Sequence, residues 1–329
     1  MRNIQILGTG VALPSRKVTS EEIDQKMGYK KGYTEKLTGM SSRYYVTNET
    51  ASDLACESIK HAIKHSPLKS LDEIDCIISA SGTTEQAIPY NAVLIHSKLN
   101  LSKTIPAFDV DMTCLSALMA FDLAANMLSL GQYEKILVVS SEVPSVGVDW
   151  VNIETGGIFG DGAAAVILSS SKDSSQGVLA SYFETHSEGV ELCVMKGGGT
   201  RFHPGNVDGD YVKYAMFEMQ GKEVYKLAAR HINKFMQILL EKSSLTIDMI
   251  DWVVPHQASN KALTYFTKIL KLNSKKVISI LSTRGNQVAA SIPSTLHELI
   301  THYPVKKGDK VLLLGTSAGL SLGGMVIEI

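Results

Sequence analysis

Leu71-Asp72-Glu73-Ile74-Asp75-Cys76-Ile77-Ile78 is echoed, roughly 175 residues downstream, by Ile247-Asp248-Met249-Ile250-Asp251-Trp252-Val253-Val254. Each copy follows a long amphipathic stretch, 51–65 in the first half and 224–240 in the second. Further on, Gln132-Tyr133-Glu134-Lys135-Ile136-Leu137-Val138-Val139 is matched by Lys307-Gly308-Asp309-Lys310-Val311-Leu312-Leu313-Leu314. Between these pairs, the strand, loop and helix around Cys114 correspond to 277–280, the loop through Asn286 and a helical pattern ending at Leu299. Each half alternates strands with helices, a pattern that builds a mostly parallel sheet covered by helices. Two such halves packed together predict an α/β protein, a five-layer α/β/α/β/α sandwich. The small, polar run Ser169-Ser170-Ser171-Lys172-Asp173-Ser174-Ser175-Gln176-Gly177 predicts the boundary. The halves are then 1–172, carrying Cys114, and 173–329, carrying His256 and Asn286.

The 329 residues carry a formal net charge of −1, with 44% hydrophobic and 20% charged residues. That length exceeds what one core usually supports, in keeping with a duplication. Scattered Lys and Arg with almost no net charge leave no electrostatic footprint for nucleic acid or an acidic membrane. No apolar run reaches the length of a membrane span, and the first apolar stretch is too short for a signal sequence. The expectation is a cytoplasmic protein. Cys56, Cys76, Cys114 and Cys193 are widely spaced, with no C-x-x-C pair and no His at ligand spacing, so neither a zinc site nor a disulfide framework is expected.

Cys114 lies where a short strand, Phe108-Asp109-Val110, gives way to an apolar helix. Leu115, Leu118, Met119, Leu123 and Met127 recur at helical spacing and predict one buried stripe. A sulfur in a first helical turn meets unpaired N–H groups and the positive end of the helix dipole, which favour thiolate. A small, inert core residue is the equal alternative from this segment alone.

His256 follows the apolar strand Trp252-Val253-Val254-Pro255, at a strand's carboxyl end, where ligands collect in α/β sheets. Asn286, in Ser282-Thr283-Arg284-Gly285-Asn286-Gln287, stands at the place in half two that Cys114 fills in half one. Duplication brings the three to the axis between the halves. There they supply an attacking sulfur, a ring nitrogen and an amide N–H for a developing oxyanion. The small-residue loop 315–324 offers backbone N–H groups, and with the Cys114 amide it forms a candidate oxyanion hole. It lacks the Gly-Lys-Ser/Thr ending of a phosphate loop, and Gly8-Thr9-Gly10 lacks the third glycine of a dinucleotide site. The loop 196–210, with Gly197-Gly198-Gly199 and His203, reads first as a surface insertion and second as a cover over a substrate tunnel.

The Cys114 segment, Phe159-Gly160-Asp161-Gly162-Ala163-Ala164-Ala165, Met219-Gln220-Gly221-Lys222-Glu223-Val224, Pro255-His256-Gln257-Ala258, and Gly285-Asn286 followed by Ala289-Ala290-Ser291 occur in that order. In these motifs the chain resembles the β-ketoacyl-acyl-carrier-protein synthase III family of the thiolase superfamily, from Ile4 to the C-terminus. The resemblance implies a homodimer that uses acyl-carrier-protein or coenzyme A thioesters and needs no cofactor. It implies that Cys114 takes an acyl group, that His256 and Asn286 stabilise the enolate left by decarboxylation of a malonyl-type thioester, and that the backbone amides of Cys114 and Ala318 hold the tetrahedral oxyanion. It further matches Ile88 to a loop that closes the partner's acyl pocket and Lys261 to a carrier-protein contact.

Tyr33 stands where the best-known members stack a tryptophan on the adenine of coenzyme A, Leu37 replaces an arginine beside it, and no basic residue lies between Asp149 and Asp161. A leucine neither stacks on adenine nor binds phosphate, so weak use of free acyl-CoA is expected. Three other activities stay open at the level of sequence: acyl transfer to an alcohol or amine or condensation without decarboxylation, thioester hydrolysis, and a silent carrier-binding subunit.

Overall fold

A computed structural model describes residues 1–150 and 152–329. Two mixed sheets face each other across a pair of central helices. The first runs in the order Ile4–Ala12, Gly162–Ser170, Lys135–Glu142, Cys76–Ser79, Ala107–Asp109, and the second in the order Gly177–Thr185, Ser321–Glu328, Lys310–Ser317, Trp252–Pro255. The duplication is visible hydrogen bond by hydrogen bond. Asp75 N–H donates to Lys135 O and Asp251 N–H to Lys310 O, both at 2.9 Å, while Ala80 N–H reaches Val139 O at 2.7 Å and His256 N–H reaches Leu314 O at 2.8 Å.

Alternate residues of each strand face opposite layers, as the two-residue period requires. Along Lys135–Glu142, Ile136 and Val138 point to the central helices Ser116–Ser129 and Ser291–His302, and Leu137 and Val139 to the outer helix Ala51–Lys64. In the second half Val311 and Leu313 face the centre, while Leu312 meets Phe235, Met236 and Leu239 of the outer helix Gly221–Ser243. The five layers follow from these contacts. Gly8 and Gly10 exist for packing: a Cβ on Gly10 would stand 2.2 Å from Ser58 O, so the strand lies directly on the outer helix.

Three expectations need correction. The sheets are not mostly parallel: in each, the long central strand pairs antiparallel with its successor, and the parallel pairings are 76–79 with 135–142 and with 107–109, and 252–255 with 310–317. No crossover helix separates 310–317 from 321–328. The small residues read as a loop over 315–324 are two strands and a tight turn, Gly323 and Gly324 being needed where Phe183, Leu239 and Phe235 press on the backbone. Second, 277–280 is not a strand; a single bridge, Val253 to Val277, is what remains of it. Third, the helix after Cys114 buries more than a stripe. Ala117, Ala120, Ala124 and Ala125 are fully buried while Leu123 is exposed, because the helix lies between two sheets and its small residues set how closely they approach.

Candidate active site

After the strand Ala107–Asp109 the chain makes a 3-10 turn, Thr113–Leu115, and then enters the helix Ser116–Ser129. Thr113 holds φ at +48°, a left-handed conformation that a β-branched residue rarely adopts and that stores about 1–3 kcal/mol. Side chains lock it there. Asp111 Oδ1 accepts from Thr113 N–H at 2.7 Å, while Ser116 Oγ donates to Thr113 O at 2.7 Å and accepts from Met112 N–H at 2.8 Å. The turn presents Cys114, half-buried, against the cluster of Met40, Phe159, Leu281 and Val288.

The expected thiolate is not what this geometry favours. Burial pushes the Cys114 thiol up to about 12, and the neighbouring Glu142 and Cys193 add to the effect, although the backbone amides of Cys114 and Ala318 hydrogen-bond the sulfur and pull the other way. Cys114 precedes the α-helix rather than opening it, and its apolar surroundings outweigh the amides. Burial favours the thiol form of Cys114.

His256 follows its strand as expected and is buried. Burial pulls its imidazole down to about 4, so the ring is neutral at pH 7. Its approach to the first half depends on Gly315, where a Cβ would lie 2.9 Å from His256 Cβ and 3.0 Å from Leu115 Cδ2. Gln257 anchors the segment: Nε2 donates to Pro255 O at 2.9 Å, and Oε1 accepts from Ile280 and Leu281 N–H at 3.1 and 3.2 Å.

Asn286 is held between the halves. Its N–H donates to Ile158 O at 2.8 Å, and its carbonyl accepts from Gly160 N–H at 3.1 Å. Gly160 has no room for a side chain, since a Cβ would stand 2.0 Å from Arg284 O. The 159–165 motif is therefore the cradle of the Asn286 loop. Asn286 Oδ1 accepts from Val288 N–H at 2.9 Å and Nδ2 lies 3.4 Å from Ala258 O, two residues beyond His256. The oxygen is thus spent, and the N–H face lies toward the His256 segment.

Local geometry also corrects the assignment of mirror positions. Val288 repeats Thr113, with φ at +47° before a 3-10 turn, Val288–Ala290, and the helix Ser291–His302. Ala289 is therefore the equivalent of Cys114. Asn286, whose oxygen accepts from Val288 N–H, is the equivalent of Asp111, three residues earlier than the sequence comparison placed it.

Ala318 opens the turn between the strands Lys310–Ser317 and Ser321–Glu328, which aims its N–H at the Cys114 sulfur. Tyr33 is exposed and packs on Tyr29, with ring centroids 4.8 Å apart, at the start of the helix Tyr33–Thr38. Ile88 is 87% exposed, and Tyr90 is exposed beside it. Lys261 is exposed on the helix Asn260–Ile269 that follows His256. His203 is exposed and accepts from Gly205 N–H at 3.1 Å. His186, Glu188 and His231 bring three potential metal ligands within 4.8 Å of one another. His186 is bonded to Glu184 at 2.8 Å, and its ring stacks on that of His231 with centroids 3.6 Å apart. Sequence reasoning passed over Glu142, Asp111 and Gln257. A carboxylate closing a strand that is apolar from Ile136 to Val139 and then carries only serines is the available signal for the first.

The family model for 3-oxoacyl-[acyl-carrier-protein] synthase III matches residues 108–187, that for the C-terminal part of the same enzyme matches 240–329, and the thiolase N-terminal model matches 36–146. The chain is 32% identical over 325 residues to the β-ketoacyl-[acyl-carrier-protein] synthase III of Vesicomyosocius okutanii subsp. Calyptogena okutanii, covering 98% of each protein. It is 31% identical to that of Neisseria gonorrhoeae over 329 residues, the full length of both. The crystal structure of 3-oxoacyl-[acyl-carrier-protein] synthase III from Aquifex aeolicus superimposes with a TM-score of 0.88 at 28% identity, covering 99% of this chain and all of that one. Matched by these family models in both halves, and 31–32% identical to curated members along its length, this chain belongs to the β-ketoacyl-[acyl-carrier-protein] synthase III family of thiolase-fold acyltransferases.

Proposed function

We propose that the protein joins a Cys114-bound acyl group to the enolate of a malonyl-type thioester with loss of carbon dioxide. What carries this reading is that the backbone N–H groups of Cys114 and Ala318 both act on the Cys114 sulfur in favour of its anion. An acyl carbonyl attached to that sulfur lies beside both donors, which is the requirement for stabilising a tetrahedral oxyanion.

In the first stage the Cys114 sulfur bonds to the carbonyl carbon of the acyl donor, the oxyanion forms against the two amides, and the bond to the carrier sulfur breaks. The thiol proton passes to the departing carrier thiolate, so no net charge is left in the pocket. In the second stage the extender loses its carboxylate as carbon dioxide, and the electron pair becomes an enolate. His256 and Asn286 donate hydrogen bonds to the enolate oxygen. An imidazole that titrates near 4 is neutral, so it stabilises that oxygen without acting as the strong acid that would quench the carbanion. The carbanion attacks the acyl carbon, the oxyanion forms again at the amides and collapses, and the Cys114 sulfur leaves as a thiolate that takes one proton from solvent to restore the thiol.

Exposure supports the assembly and the carrier. Ile88 and Tyr90 project from one loop, an apolar patch that a second copy of the chain covers in the proposed homodimer. Tyr33 and Leu37 offer coenzyme A neither a guanidinium nor an indole, and Lys261 lies exposed near His256, a combination that favours an acyl-carrier-protein donor. Incubation with an acyl-carrier-protein and carboxyl-labelled malonyl-carrier protein tests the reaction. Release of labelled carbon dioxide together with an acyl adduct on Cys114 is expected. An adduct without gas leaves simple acyl transfer, and free acid as the sole product leaves hydrolysis.

A further inference from the structure

The strand Lys135–Glu142 is buried from Ile136 onward, and its last residue is a carboxylate with no solvent exposure. Nothing in the reaction above uses it. Both its oxygens are taken by donors: Gly82 N–H reaches Oε1 at 2.7 Å, while Thr83 N–H and Oγ1 reach Oε2 at 2.9 and 2.6 Å. The Ala289 amide adds a contact from the second half. Gly82 is itself wedged between the halves. A Cβ there would lie 2.9 Å from Val288 Cγ1 and 3.1 and 3.2 Å from the carbonyl carbon and Cα of Thr113. Thr113 precedes Cys114, and Val288 N–H holds the Asn286 oxygen. These are the two left-handed, β-branched residues of the paired turns.

We propose that Glu142 is a positioning residue for both catalytic loops: by fixing Gly82 between Thr113 and Val288 it keeps Cys114 of one half and Asn286 of the other in register. The duplication shows why a carboxylate stands there. In the unused copy of the site Ala80 replaces His256, Asp111 replaces Asn286 and Ala289 replaces Cys114. The Ala289 amide, counterpart of the Cys114 amide, faces Glu142 instead of a substrate oxygen, so the carboxylate fills the vacant oxyanion site. A side chain tied to both halves passes the position of either loop to the other. Burial raises the Glu142 carboxyl to about 8 against the pull of its donors, and where it is ionised its charge acts on Cys114, helping to keep the thiol protonated.

The kinetic part of the test rests on the proposed condensation, and the alkylation part does not. Glu142→Gln keeps the volume, removes the charge and sets an NH2 group against one of the backbone N–H donors. The folded variant is expected to lose roughly 10- to 100-fold in kcat, the scale of a small misplacement of reacting groups, with KM for both thioesters little changed. Iodoacetamide labelling of Cys114 without any thioester, followed by intact mass, is expected to show its pH midpoint displaced downward, and Glu142→Asp is expected to restore it. A folded Glu142→Gln protein with wild-type kcat and an unmoved midpoint overturns the proposal. If that variant does not fold, Thr83→Val, which removes one donor, decides: reduced kcat at unchanged KM supports the assignment, and wild-type kcat overturns it. Wild-type protein that labels normally but releases no carbon dioxide removes the proposed reaction and leaves the labelling result readable.

Discussion

The two halves of this chain share a backbone to the level of individual hydrogen bonds, yet only one carries the proposed nucleophile. At matching positions the proposed site has Cys114, His256 and Asn286, and the other copy has Ala289, Ala80 and Asp111. The strained turns, Thr113 and Val288, are kept in both. The geometry that presents a first-turn side chain is therefore a property of the duplicated scaffold, and the chemistry is three substitutions laid upon it. Neither half makes a site alone. The sulfur from half one meets the Ala318 amide from half two, and the carboxylate from half one meets the Ala289 amide from half two.

The severest challenge to this comparison is to move the nucleophile. Cys114→Ala is expected to abolish the acyl adduct and condensation, and adding Ala289→Cys is expected not to restore them, because Glu142 occupies the space and Ala80 offers no imidazole. Intact-mass measurement after exposure to acyl donors checks both, and an adduct at position 289 would show the second copy to be competent. Next in size, Asn286→Asp gives the working loop the residue of the idle one. A carboxylate donates no N–H to an enolate, so decarboxylation is expected to fall roughly 10²- to 10³-fold while acyl loading persists, read by gas release and by adduct mass separately.

His256 has no titratable counterpart in the idle copy, and its contribution to stability has a definite sign. Its folded value, about 4, lies below the unfolded value of about 6.5, so the unfolded chain binds the extra proton. Stability from this group is complete above pH 6.5 and is lost as pH falls toward 4, by about 3 kcal/mol in all. Denaturant titrations across that window are expected to show the slope in the wild type and a reduced slope in His256→Asn. Enolate formation is expected to stay level from pH 8 down to about 5. The smallest effect belongs to the surface. Tyr33→Ala is expected to change the KM for acyl-carrier-protein by less than about twofold, since the exposed ring contributes no buried contact to a carrier-borne donor.

Much of this arrangement was legible in the sequence because duplication writes the same pattern twice. The repeated Asp75 and Asp251 segments gave the layers, and strand ends gave Cys114 and His256. The tight turn at Ala318 escaped because Gly315, Gly323 and Gly324 look like loop chemistry, when in fact they are thin places in strands pressed by His256, Phe183 and Leu239. The mirror partner of Asn286 is Asp111 rather than Cys114. Periodicity locates elements, whereas the three-residue offset between Asp111 and Cys114 is set by a backbone dihedral that carries no compositional mark. The thiolate expectation meets an opposing pull for a related reason: a helix start is visible in sequence, and the apolar wall around the sulfur is assembled from distant segments.

The turn at Ala318 has a consequence for inhibition. Both groups that would cradle the oxyanion belong to the main chain, so no exchange of one side chain for another deletes them, and at position 318 only proline removes the donor. An anionic oxygen aimed at those two amides would engage the part of the pocket that point mutation is least able to retune. Resistance to such a compound would have to arise at its periphery, around the mouth of the pocket.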